Sequence, residues 1–361
     1  MMKKRLLAVM TAAGLAASML AGCGSSSSSS SETSSEDSST EEATEEATDE
    51  ATEEASASTD EEELNIQVVV NTLSSEYWGY VKAGAEAYEV DHPNVHVTVQ
   101  GPTSETDYEG QQSMVETIIA SGDCDGLVVS ALQQETICKL VESCDIPVVA
   151  VNTDLESERK SSFVGTGNEA AAEEGGKAAV EAAKAAGWEE LNCIFISGVQ
   201  GDPTHAARMA GFKTGSEEAG GTFLEDEVQY ADSVADKAVT AMEAIIQNHP
   251  EGVACILSSN DDMAIAAAKT AASSAAADAY KNTIFCGFDG IQSACESILS
   301  EGGETMSVAQ DPYGMGYKSV ETIVAVINGE TVDEFVDTGC SIITKDNAQE
   351  QLDTLKTYLG E

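Results

Sequence analysis

Positive charge is what this 361-residue chain has least of: 17 Lys and Arg stand against 64 Asp and Glu, a formal charge of -47. The imbalance is not confined to one tail. Residues 23–63 hold 15 of the acids and no base, which leaves 49 acids against 14 bases from Leu64 onward. Such a surface repels phosphate backbones and anionic headgroups, so neither nucleic acid nor polybasic membrane docking is expected. Histidine is scarce as well. His92, His96 and His249 fall in or beside strand and helix ends where a surface or capping role suffices, and only His205 adjoins a glycine loop. Gly-x-Ser-x-Gly, His-Glu-x-x-His and Walker sequences are missing, which argues against an enzyme. Gly165-Thr-Gly167-Asn168 comes nearest to a dinucleotide loop, yet it lacks the third glycine and an acidic ribose partner. No cofactor is therefore expected. Cys-x-x-Cys spacing is also lacking, and with it the usual metal or redox motif. Of the eight cysteines after Cys23, three (Cys193, Cys255, Cys286) lie in strand-like runs, where cysteine serves as a small buried apolar residue. The thiols read as mostly free, with one bridge among Cys124, Cys138 and Cys144 left open.

Residues 24–63 contain no aromatic and no large aliphatic side chain. Nothing there offsets the entropy of ordering, so this stretch reads as a self-repelling acidic tether. Fully extended it reaches about 140 Å at roughly 3.5 Å per residue. Before it, Met1-Met2-Lys3-Lys4-Arg5 forms a basic start, followed by an uncharged apolar run over residues 6–21. That run fits a secretory leader better than a membrane-spanning helix. It closes in Leu20-Ala21-Gly22-Cys23, which resembles the bacterial lipobox. The resemblance implies removal of residues 1–22 and lipidation of Cys23, with two or more acyl chains giving a lasting anchor on the outer face of the cell membrane.

From Leu64 a strand and helix rhythm begins. Buried strands are expected over 66–70, 95–100, 126–129 and 146–151, with helices opening at Ser75-Glu76, around Gln111 and around Glu135. After a short strand at 163–165 the rhythm restarts: an Ala-rich helix capped by Asn168, a strand over 191–196, a glycine loop over 198–203 and a helix from Arg208. Strands over 228–230, 253–257, 284–289 and 306–309 follow, with helices between them. Alternation of this kind predicts an α/β fold with parallel sheets and right-handed crossovers, in two similar halves of about a hundred residues.

Polar or aromatic residues recur where strands end: Asn152, Asn260, Asp289 and Gln310, with Tyr77 and Trp78 after the first strand. Ligands bind at the carboxyl ends of strands in open α/β sheets. Carboxylates and amides pair with vicinal hydroxyls, and an aromatic ring packs on the C–H face of a sugar. Each position also has a plainer reading. Asp289 would cap the helix beginning near Ile291, Asn260 and Asp262 would cap theirs, Trp78 would be core, Arg208 would tie its loop to an acid, and Gln310 would bond backbone only.

In order and spacing, these motifs resemble the class I periplasmic binding proteins, the sugar-binding group similar to the ribose and galactose binding proteins. The resemblance spans Leu64 to about Asn347 and rests on Gln111 to Ser130 (a helix into an Asp-Gly strand), Ile146 to Asn152, Arg208-Met-Ala-Gly-Phe212, Ser259-Asn-Asp-Asp-Met-Ala264, Gly287-Phe-Asp-Gly290, Ala309-Gln-Asp-Pro312 and Ile343-Thr-Lys-Asp-Asn347. It implies two doubly wound lobes, residues 64–167 plus 311–339 and residues 168–310 plus 340–361, joined by three strands and closing over a ligand. Asn260, Asp289 and Gln310 match residues that bond sugar hydroxyls, Asn152 matches a hydroxyl-binding Asp or Asn, and Tyr77 with Trp78 matches a ring-sandwiching pair. Arg208 matches the sugar-touching arginine of galactose-type members, whereas ribose-type members carry it two residues earlier, where this chain has Ala206. Thr153 replaces a common basic residue, and Asp202, Thr204 and His205 are left to supply polarity. The implied function is a monomeric receptor for a monosaccharide or polyol that serves the permease of an ABC importer. A nucleoside ligand, or a sensory partner such as a membrane kinase or chemoreceptor, is the alternative.

Overall fold

The computed structural model describes residues 62–360; the expected leader, Cys23 and the tether up to residue 61 lie outside the described residues. The first part of the chain runs β1 (Leu64–Val69), α1 (Glu76–Asp91), β2 (Val95–Gln100), α2 (Tyr108–Ser121), β3 (Gly126–Val129), α3 (Gln134–Glu142), β4 (Val148–Val151) and β5 (Lys160–Gly165). The second runs α4 (Asn168–Ala185), β6 (Asn192–Ser197), α5 (Pro203–Glu218), β7 (Thr222–Phe223), β8 (Gln229–Tyr230), α6 (Ala235–Asn248), β9 (Cys255–Ser258), α7 (Asp261–Ser273), α8 (Ala277–Tyr280), β10 (Ile284–Asp289), α9 (Gln292–Leu299) and β11 (Met306–Ala309). The end of the chain supplies α10 (Pro312–Ile327), β12 (Phe335–Asp337), β13 (Ser341–Ile343) and α11 (Ala348–Leu359).

Two sheets result, ordered β12-β5-β4-β3-β1-β2 and β13-β11-β10-β9-β6-β7, with β8 also pairing β6. All pairings are parallel except β13 on β11. Strands β3 and β4, Gly-Leu-Val-Val and Val-Val-Ala-Val, are buried at every residue, as a parallel sheet covered by helices on both faces requires. In both sheets the chain starts in the middle, steps to one side and then returns to the other, so each has a switch point: between β1 and β3, and between β6 and β9. Both sheets aim the carboxyl ends at these switch points into one cleft. The chain passes from sheet to sheet three times, after β5, after β11 and between β12 and β13.

The same packing device closes each lobe. A Cβ on Gly84 would fall 1.9 Å from the backbone oxygen of Tyr313, and one on Gly211 would fall 2.0 Å from that of Glu169. Glycine therefore lets α1 touch α10, and α5 touch α4, backbone to backbone.

Several local expectations need correction. Helix α5 begins at Pro203, not Arg208, because Asp202 accepts from the Thr204 and His205 amides and Pro203 presets the first turn. Asn168 is the first helical residue of α4 and does not cap it; its Oδ1 accepts instead from Arg208 Nε at 2.8 Å. The short elements β7, α8, β12 and β13 carry too few residues for a period to show. Cys124, Cys138 and Cys144 are free, as are the other five described cysteines. Among the described residues no helix is long and apolar enough to cross a membrane, and none form a cluster suited to a metal ion.

Candidate functional site

The first lobe brings a hydrogen-bonded aromatic pair to the cleft. Ser75 precedes α1, and the first turn carries Tyr77 and Trp78, whose rings meet edge to face at 5.2 Å between centroids. The Tyr77 hydroxyl donates to Asn152 Oδ1 at 2.8 Å and also lies 3.2 Å from Met315 Sδ. Asn152, at the end of β4, holds a left-handed backbone with φ of 61°, a conformation that favours Asn over most other side chains. Trp78 is only 2% exposed, yet its Nε1 donates to Glu105 Oε1 at 3.2 Å. Trp78 thus serves the core and the cleft together.

The second lobe presents polar groups already bound to one another. His205 Nδ1 lies 2.6 Å from Ser259 Oγ, and its Nε2 lies 3.0 Å from Ser233 Oγ. Burial drives the ring down to a pKa of about 4, against the pull of Asp202, so the imidazole is neutral. Arg208 donates through Nη1 to Ser259 O at 2.7 Å and lies 3.4 Å from Asp289 Oδ1. Its guanidinium carbon sits 3.8 Å from the centre of the Phe288 ring, a cation–π stack. Asn260 spends both ends locally, accepting from Met263 N at 3.0 Å as the cap of α7 and donating to Ser233 O at 3.1 Å.

Asp289 does not cap α9. Within the first turn of α9 the Ser293 amide donates to Glu76 Oε1 at 3.3 Å, and Asp261 holds the turn before the helix: its Oδ2 accepts from Gly290 N at 2.7 Å and Ile291 N at 3.1 Å, while its Oδ1 accepts from Ser307 Oγ at 2.6 Å. Asp289 is free to turn into the cleft, on a backbone with φ of 123° that a non-glycine residue holds only when its surroundings fix it. Burial pushes its carboxyl well above the usual range, partly opposed by Arg208. Gln310 stands behind it, donating from Nε2 to Asp289 Oδ1 at 2.7 Å.

Nine of the ten expected residues line one cavity between the lobes: Tyr77, Trp78, Asn152, Asp202, Thr204, His205, Arg208, Asn260 and Asp289. Gln310 does not reach its wall. Asn71, Ser75, Glu105, Thr153 and Ser233 also line it. Of these, Asn71 follows β1 much as Asn152 ends β4, a signal that was present in the sequence; Glu105 lies in an aperiodic loop after β2. Thr204 Oγ1 donates across the cleft to Thr153 Oγ1 at 3.2 Å, and the Ser233 hydroxyl bonds Glu105. With these bridges in place the cavity measures about 30 Å³, roughly the liquid volume of one water. A wider groove of about 1030 Å³ runs between α6 and α7, lined by Val239, Ile246 and Ala266 together with Glu243, Gln247 and Lys269, and it holds none of the ten expected residues.

Comparison with known proteins agrees with this architecture. Residues 66–331 match the family described as periplasmic binding protein domain. The ribose import binding protein RbsB of Bacillus subtilis (strain 168) is 26% identical over 284 residues, covering 78% of this chain and 87% of that protein. Among solved structures, a carbohydrate transporter solute binding protein from Agrobacterium radiobacter in complex with D-arabinose superposes with a TM-score of 0.70 at 27% identity, covering 81% of this chain and 98% of that one. An ABC transporter solute binding protein from Mycobacterium smegmatis with bound glycerol gives 0.69 at 28% identity, covering 80% and 96%. By the span of the family match and by its two switch-point sheets facing one cleft, this chain belongs to the periplasmic binding protein family, with the type I fold.

Proposed function

We propose that this protein is an extracytoplasmic receptor that captures a monosaccharide or related polyol between its lobes and hands it unchanged to an ABC importer. The observation that carries the reading is the convergence of Asn152, Asn260 and Asp289 with the Tyr77–Trp78 pair on one interlobe cavity. Asp289 accepts from ligand hydroxyls, Asn152 and Asn260 lie along the ring edge, and Tyr77 and Trp78 offer apolar ring surface to its C–H face. The relatives named for ribose, D-arabinose and glycerol support this ligand class.

A cavity of about 30 Å³ holds no sugar, so the lobes part for entry, breaking the Thr153–Thr204 and Glu105–Ser233 bridges, and close again over the ligand. Affinity then depends on the free energy of closing without ligand as well as on the contacts made. The permease would select the closed form. Lipidated Cys23 would hold the receptor on the outer face of the cell membrane, with the acidic tether setting its reach; the self-repelling surface suits a monomer.

A thermal-shift panel of pentoses, hexoses, inositols and nucleosides tests the reading. A sugar or polyol is expected to raise the melting temperature, and Asp289→Ala to abolish that rise, since hydroxyl bonds of about 1–3 kcal/mol each are lost or left unpaired. A rise that persists in Asp289→Ala would remove Asp289 from the site. Acyl label carried by the wild type and absent from Cys23→Ala would support the anchor; label retained in that variant would refute it.

A further inference from the structure

The charges on the cavity wall do not balance. Glu105, Asp202 and Asp289 line it, the last raised by burial and set 3.4 Å from Arg208, and among the described residues Arg208 is its only Lys or Arg side chain. His205 adds nothing, being held neutral. Arg208 is committed: Nε to Asn168, Nη1 to Ser259 O and Asp289, and its face to Phe288. Asp202 is engaged in capping α5. Burial raises the Glu105 pKa, opposed by hydrogen bonds from Trp78 and Ser233 and by the more distant charge of Arg208, and among the described residues no Lys or Arg side chain bonds it.

The count of acceptors points the same way. Asn71 is 6% exposed and lines the cavity, and its Oδ1 has no hydrogen-bond partner. A buried acceptor without a donor is unfavourable, and a half-buried carboxylate without a counter-charge more so. Both lie on the first lobe's side, where the second lobe's hydrogen-bond network reaches Glu105 through the Ser233 hydroxyl alone and does not reach Asn71 Oδ1. The missing component is a group with several donors, no acceptor and a positive charge, which describes an ammonium.

We infer that the ligand of this site is a sugar or polyol bearing a protonated amine, with the ammonium seated against Glu105 and Asn71 and the hydroxyls on the Asp289 side. The inference rests on the receptor reading above and narrows it. An N-acetylated form of the same sugar carries neither the charge nor the three donors and is excluded.

The test is titration calorimetry on the full chain at neutral pH. The probes are 2-amino-2-deoxyglucose, 2-amino-2-deoxygalactose and an amino-inositol, each beside its hydroxyl parent, and the two amino sugars also beside their N-acetyl forms. At least one amine is expected to bind about tenfold or more tightly than its parent, the scale of one well-placed charged contact. In Glu105→Gln, checked for folding by circular dichroism, that ratio is expected to fall to near one. Parents that bind as well as their amines, or a ratio that survives Glu105→Gln, overturn the inference and leave the receptor reading standing. Binding by none of the probes overturns the inference, and absence of any hit in the wider thermal-shift panel overturns the receptor reading as well.

Discussion

The two walls of the cleft are built on different principles. On the wall that follows β6, β9 and β10, every polar side chain is already fixed: His205 between two serines, Arg208 among four partners, Asn260 between α7 and Ser233, and Asp289 on Gln310. On the wall that follows β1 and β4, aromatic packing holds Tyr77 and Trp78, while Asn71 Oδ1 stands unpaired. One wall is a preorganised polar template and the other an aromatic pair set among polar side chains, with one acceptor, Asn71 Oδ1, unpaired. Preorganisation lowers what binding must spend on ordering side chains. A ligand first meets its final partners on the template, and closure of the other lobe completes the site.

Asp261 is where that difference is most open to attack. Its carboxylate holds Gly290 N, Ile291 N and Ser307 Oγ, and so fixes the turn that carries Asp289 at its unusual φ. Asp261→Ala leaves two buried donors, Ile291 N and Ser307 Oγ, without this acceptor at about 1–3 kcal/mol each, while Gly290 N keeps Ser307 Oγ at 3.1 Å; the sum is a large share of a domain's stability. Urea unfolding is expected to show a loss of several kcal/mol, together with weakened ligand binding. A loss below 1 kcal/mol would mean that the template is not held from behind.

A second carboxyl sits beside Asp261. A Cβ added to Gly287 would lie 2.2 Å from Asp261 Oδ1 and 2.1 Å from Glu304 Oε1, so the two acids crowd the same backbone and the charge of Asp261 raises Glu304. Burial raises Asp261 to about 7 and Glu304 well above its usual range. The other titratable groups facing them are Asp289, Cys286 and Cys295. Because the folded pKa exceeds the unfolded one, near 4, the stabilisation is full below about pH 4 and is lost as pH rises through about 7. Melting temperature is expected to fall between pH 5 and pH 8 in the wild type, and to fall less steeply in Glu304→Gln. Equal slopes would show that general charge repulsion, not this pair, sets the trend.

Much of this was legible in the sequence because it is periodic or local. Buried four-residue strands such as β3 and β4 announce themselves by unbroken apolar runs, and strand ends by Asn152, Asn260 and Asp289. What was hidden depends on contacts distant along the chain. Asp261 reads as a helix-start acid, and nothing local shows that it holds the Gly290–Ile291 turn, about thirty residues on, behind Asp289. Arg208 was left open between ligand and structure; its commitments to Asn168, Ser259 and Phe288 appear only once α4, α5 and β10 are packed. Glu105 gave no signal because its loop is aperiodic and its partners, Trp78 on α1 and Ser233 in the other lobe, are distant along the chain. The start of α5 was misplaced because Gly201-Asp202-Pro203 reads as loop, although the same residues are a good helix opening: a cap followed by Pro at the first turn.

The smallest expected effect probes the aromatic wall. Tyr77→Phe keeps the ring, its packing and its edge contact with Trp78, and removes only the donor to Asn152 Oδ1. An unpaired buried acceptor costs about 1–3 kcal/mol, but this one faces a cavity of about 30 Å³ that has room for roughly one water to replace the lost donor. The loss in unfolding free energy is therefore expected at the low end, about 1 kcal/mol, and the affinity for a ligand that itself donates to Asn152 is expected to change little. A loss near 3 kcal/mol in the unliganded protein would show that water does not take the place of the hydroxyl. The first wall would then be as tightly preset as the second, and the contrast between them would fail.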